Sequence, residues 1–102
     1  MKQITGKQSI QFEKAPHIIS GASIVGKKEG EGPLGHYFDK IGEEDGLFGT
    51  ASWEEAESTL QKEAISMAIE KAGIEKWQIR TIYAGDLLAQ TIASSFGIMG
   101  FN

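Results

Sequence analysis

Residues 52–86 read SWEEAESTLQKEAISMAIEKAGIEKWQIRTIYAGD, and this stretch decides how the rest of the chain is read. Ser52-Trp53-Glu54-Glu55 has the form of a capping box, in which the Ser52 hydroxyl takes the free amide of Glu55 and the Glu55 side chain reaches back. Apolar residues recur at Trp53, Ala56, Leu60, Ala64 and Met67, the spacing of a helical stripe. From Leu60 a second row joins, Ile65, Ala68, Ile69 and Ala72, so the apolar face widens and the second half is expected to pack more deeply. Gly73 is the stop, since glycine accepts the left-handed backbone there at little cost. Glu54, Glu55 and Glu57 lie at the positive end of the dipole and Lys71 at the negative end. The pattern predicts a helix over 53–72, a turn through Gly73–Trp77, a buried strand over Gln78–Ala84, and Asp86 as the cap of a further helix.

Working outward, Ser9–Phe12 alternates polar and apolar like a half-buried edge strand, and Ala15-Pro16 breaks it. His17–Val25, HIISGASIV, is rich in β-branched residues and predicts a first strong strand, with Gly21 marking a bulge or a close neighbour. A strand, a crossover helix and another strand predict that Ile18–Val25 and Ile79–Ala84 lie parallel with a right-handed connection. Seven of the thirteen glycines fall in residues 26–51, predicting a long loop of little regular structure, pinned by Leu34, Tyr37, Phe38, Ile41, Leu47 and Phe48. Leu87, Leu88, Ile92, Ala93 and Phe96 form the face of the last helix, Gly97 ends it, and Ile98–Phe101 is a short final strand or tail. The fold class is α/β: a small parallel or mixed sheet with two helices and a long glycine-rich loop.

The totals bound the function. One domain, 1–102, is the most that 102 residues support. Apolar content of 40% and charged content of 24% are ordinary for a globular chain. Residues 1–40 hold six lysines against four acids, whereas residues 41–102 hold four basic against ten acidic residues. An acidic second half with one arginine, Arg80, argues against a nucleic-acid surface. There is no cysteine, which removes disulfides, thiolate catalysis and zinc–thiolate sites together. No apolar run approaches the ~20 residues that span a bilayer, and Met1–Gly6 lacks the apolar core of a signal peptide. The expected location is the cytosol, with peripheral membrane contact allowed.

Five patterns bear on chemistry. Gly30-Glu31-Gly32-Pro33-Leu34-Gly35 matches G-x-G-x-x-G, but Gly26–Glu29 separates it from the strand and Pro33 stiffens it, so an ordinary glycine loop is favoured over a dinucleotide site. His17 and His36 have no second ligand at helical or turn spacing, so no metal is expected. His36-Tyr37-Phe38-Asp39 is a candidate pocket lining, since loops carry sites disproportionately. Gly85-Asp86 would sit where open α/β sheets bind ligands, at a strand's carboxyl end and a helix's amino end. A helix cap explains Asp86 fully, and ligand binding is its second reading. Glu43-Glu44-Asp45 reads as a solvated acidic loop. No serine elbow and no pair of carboxylates with acid–base spacing is present, so no catalytic residue and no cofactor are assigned.

Several strings together resemble the opening of the stage V sporulation protein AD family: Thr5-Gly6-Lys7-Gln8, then Gly26–Lys40 (GKKEGEGPLGHYFDK), Ser52–Ser58 (SWEEAES) and Ala84–Gln90 (AGDLLAQ), in the family's order. The resemblance spans this chain and about the first third of the family's length. It implies a thiolase-like fold of two similar α/β halves, of which residues 1–102 match the start of the first. It also implies a non-enzymatic binder of dipicolinic acid, acting in uptake into the forming spore and release in germination beside membrane-embedded partners. The family's cysteine-bearing turn lies past Asn102, as do its second half and most of its pocket, so the expected chain is a fragment or a shortened member. Of the matched residues, Asp86 alone is carried as a ligand candidate. A sheet cut after its first strands leaves edges open, so the chain is expected to pair with itself, including by strand exchange. The rivals are a thiolase-type condensing enzyme, which the missing thiolate opposes, and a free-standing protein-interaction module.

Overall fold

The structure is a computed structural model; it describes residues 4–43, 48, 50–87 and 92–101, with the side chains of Ile4, Ile92 and Ala93 left aside. The central element is α2, Trp53–Ala72, and its ends follow the sequence. Ser52 has extended dihedrals and its hydroxyl accepts the Glu55 amide at 3.2 Å. The return half of the box lands one residue earlier than expected: Glu55 Oε2 accepts from the Ala51 amide at 3.2 Å. At the other end Gly73 is left-handed, φ 69° and ψ 27°, and its amide closes on the Glu70 carbonyl.

Upstream, β1 (Ile4–Thr5) and β2 (Ser9–Ile10) form an antiparallel hairpin, turned at Gly6 with φ 68°. β3 is Ile24–Val25, followed by a one-turn helix α1, Lys27–Gly30, a 3₁₀ turn at Gly35–Tyr37, and β4, Lys40–Ile41. β3 and β4 pair in parallel, Ile24 opposite Lys40 and Val25 opposite Ile41. Much of 26–43 is therefore regular, where a loop of little regular structure was expected over 26–51. Gly30 and Gly35 serve close packing. A methyl on Gly35 would lie 1.9 Å from the Gly30 carbonyl oxygen, and one on Gly30 would lie 2.5 Å from the Ile41 side chain. With the glycines closed on each other and on Ile41, the G-x-G-x-x-G string forms a tight corner and opens no long helix.

Two strand expectations fail. The strand expected over His17–Val25 shrinks to Ile24–Val25, and Gln78–Ala84 forms no strand: Lys76–Gln78 is a 3₁₀ turn, and Ile79–Asp86 runs on without helix, turn or ladder. The parallel pairing of Ile18–Val25 with Ile79–Ala84 is absent. The parallel partner of β3 comes from the glycine-rich region instead. β-branched composition favours a strand only where a neighbouring backbone can complete the ladder.

The last helix, α3, is Ile92–Gly97 and packs along α2. Leu87, the first residue of the expected face, lies in a bend, and Leu88 lies outside the described residues. Ile98–Gly100 is a turn, with no final strand. The fold class is thus α/β as expected, with three helices and a two-stranded parallel sheet.

The core is small. Among described residues the buried apolar side chains are Ile24, Ala56 and Phe101. In the second half of α2 residues 63–69 are half-buried while Glu70 and Lys71 are exposed, and the helix's one buried residue, Ala56, lies in the first half, so the expected deepening is not seen. Accessible surface is 8217 Å², against about 5,700 Å² for a compact monomer of this mass. Ile18, Tyr83 and Leu87 are each more than 90% exposed. The radius of gyration, 16.4 Å, likewise exceeds the ~13 Å of a compact domain of about 100 residues.

Candidate functional site

Asp86 sits where Ile79–Asp86 meets the amino half of α2 and the start of α3. Its Oδ2 accepts the amide of Ser94 at 3.2 Å, in the first turn of α3. Asp86 thus meets an amide of α3 eight residues on. Two further bonds clip this segment to α2: Gln61 Nε2 donates to the Gly85 carbonyl at 3.2 Å, and the Leu87 amide donates to Glu57 Oε1 at 3.1 Å. α3 rests on α2 through Gly97, where a methyl would lie 3.0 Å from the Ser58 carbonyl oxygen and 3.2 Å from Gln61 Cβ. Ser94 is buried and its hydroxyl has no hydrogen-bond partner among the described residues.

Between the start of α2 and α3 lies an open cleft of about 440 Å³, lined by Thr50, Glu54, Glu55, Ser58, Thr59 and Phe96. Its chemistry is hydroxyls, one aromatic ring and two carboxylates, with no cation among the described lining residues. Such a wall disfavours an anion and offers no base oriented by a third group, as nucleophilic catalysis needs. Among the described residues no three His, Cys, Asp or Glu side chains gather as a metal site would require.

His36-Tyr37-Phe38-Asp39 is divided by the fold. The His36 and Tyr37 rings lie against each other, centroids 4.1 Å apart. Asp39 turns away to hold the structure. It accepts the Ser23 amide at 2.8 Å and the Ser23 hydroxyl at 3.3 Å, and it pairs with Lys71 near the end of α2. Lys71 also donates to the Gly21 carbonyl at 3.1 Å, and the Ser20 hydroxyl donates to the Ala68 carbonyl at 2.7 Å. The Lys71 ammonium, and then the Ser23 amide, hold the Asp39 carboxyl below the usual carboxylate range. Sequence reading missed this clasp: Lys71 explained itself as a dipole partner, and nothing in the spacing of Ser23, Asp39 and Lys71 joins them. Glu44 and Asp45 of the acidic loop lie outside the described residues.

The family profile for Stage V sporulation protein AD matches residues 6–102. The chain belongs to that family. Among curated proteins, Stage V sporulation protein AD of Bacillus subtilis (strain 168) is 37% identical over 94 residues, covering 92% of this chain and 28% of the relative. The chain thus spans a little over a quarter of the length of that Stage V sporulation protein AD. The matched region includes the Gly30–Gly35 corner, the clasp and Asp86. Among the described residues no helix is long and apolar enough to cross a membrane.

Proposed function

We propose that this chain serves sporulation as a non-catalytic member of its family, in the handling of dipicolinic acid during spore formation and germination. The observation that carries this reading is the family match over residues 6–102. The thiolase-like architecture is part of the proposal: two strand-type segments, His17–Ser23 and Ile79–Ala84, flank α2 without a ladder of their own and would complete a larger sheet. The chain works in the cytoplasm of the forming spore, peripheral to the inner membrane and beside membrane-embedded partners. The open apolar surface supports self-association of the chain.

Deleting the coding segment in its sporulating host and measuring dipicolinic acid per spore tests the role. Reduced content is expected; unchanged content and unchanged germination would end this reading. Turnover of an acyl-CoA by the purified chain would overturn the non-catalytic part.

A further inference from the structure

We propose that Asp39 and Lys40 form a two-point charge latch that fixes where the Gly26–Lys40 segment sits along α2. The two residues are adjacent and of opposite sign. Asp39 pairs with Lys71, and Lys40 Nζ pairs with Glu63 Oε2 at 2.6 Å. Positions 63 and 71 are eight residues apart on α2. That is a little over two turns, so they share one side of the helix, about 12 Å apart along its axis. Two further bonds follow the same line of contact. The Ser20 hydroxyl donates to the Ala68 carbonyl at 2.7 Å, and Lys71 donates to the Gly21 carbonyl at 3.1 Å.

The latch stands on backbone that β3 already holds. Asp39 accepts the Ser23 amide and hydroxyl, and the amides of Asp39 and Lys40 both donate to the Ser23 carbonyl, at 3.1 and 3.2 Å. An exposed ion pair loses much of its worth to the entropy of holding two long side chains in one geometry. Here the Asp39 carboxylate is positioned by Ser23 independently of Lys71, so that loss is smaller. The charges of α2 then select one setting. Sliding the helix one turn in one direction brings Ala68 or Met67 to Asp39, with Leu60 or Thr59 at Lys40. Sliding it the other way carries Asp39 past the end of α2 at Ala72, with Ser66 or Met67 at Lys40. Neither move gives either residue an opposite charge on the helix. Exchanging the two partners would set Asp39 against Glu63 and Lys40 against Lys71, two like-charge contacts. The observed setting is the one of these that satisfies both residues. Asp39 and Lys40 are therefore positioning residues, and the pattern that carries the information is divided between two distant segments.

The Lys40–Glu63 point gives the cleaner test, because its side chains are 46% and 36% exposed and their exchange leaves the small core intact. The measurement is the unfolding equilibrium constant of the 102-residue chain, from urea titration at low salt. Lys40→Glu should raise it about fivefold by facing Glu63 with a like charge. Combining Lys40→Glu with Glu63→Lys should return it to within about twofold of the original. Combining Glu63→Thr with Thr59→Glu keeps the composition and moves the carboxylate one turn along α2. That variant should remain as unstable as Glu63→Thr alone. The penalty of Lys40→Glu should shrink in about 1 M NaCl, where the screening length falls to about 3 Å. An exchanged pair no more stable than Lys40→Glu, or a transposed carboxylate that restores stability, would refute the latch. So would a Lys40→Glu chain as stable as the original at low salt.

Discussion

At the scale of single residues, Asp39 carries the sharpest expectation. Lys71 and the Ser23 amide lower its folded pKa below the ordinary value of about 3.9, so the folded state binds its proton less readily than the unfolded state. Its contribution to stability is thus full above about pH 4 and is lost as pH falls through the folded value. Asp39→Asn should lower the urea midpoint at pH 7 and flatten the fall in stability below pH 4. An unchanged acid limb would show that the clasp does not act in solution. Gly35 is the second such residue. Backbone cannot retreat as a flexible side chain does, so Gly35→Ala should cost about 1–3 kcal/mol by overpacking against the Gly30 carbonyl. An equilibrium urea titration reads this, and a change under about 0.5 kcal/mol would contradict the close approach.

At the scale of elements, α2 was legible in the sequence to both ends, because its signals are local. The cap, the 3.6-residue stripe and the terminal glycine all lie within its own residues. Ser52→Ala should remove the bond to the Glu55 amide and cost about 1 kcal/mol, read from helix signal on heating. Loss much below that would mean the Glu55–Ala51 bond alone holds the entry. The strands were not legible in the same way. HIISGASIV and QIRTIYA have strand composition, but a ladder is a relation between distant segments, and β3 takes its neighbour from Lys40–Ile41, a pair of residues with no strand signature. Asp86 shows both outcomes at once. Its chemistry as an acceptor for helix amides was readable, whereas its bond to the Ser94 amide, eight residues on, was set by how α3 settles on Ser58 through Gly97.

At the scale of the whole molecule, exposure dominates. About 2,500 Å² more surface is accessible than a compact monomer of this mass would show, a magnitude beyond a standard protein–protein interface. The cleft between the start of α2 and α3 is walled by Glu54 and Glu55, and the region after residue 40 carries a net charge of −6. A dianion meets that wall unfavourably, so calorimetric titration of this chain with dipicolinate should give weak or no binding. Tight binding would place the ligand elsewhere on the molecule and strengthen the dipicolinic acid assignment. The clasp has a last consequence, for biosynthesis. Gly21, Ser23 and Asp39 leave the ribosome well before Lys71, and the ammonium that unites them belongs to the closing turn of α2. Vectorial emergence lets early segments fold first in many proteins. Here the nascent amino-terminal half must wait for a residue translated some thirty codons after Asp39 before that carboxylate finds its counter-charge.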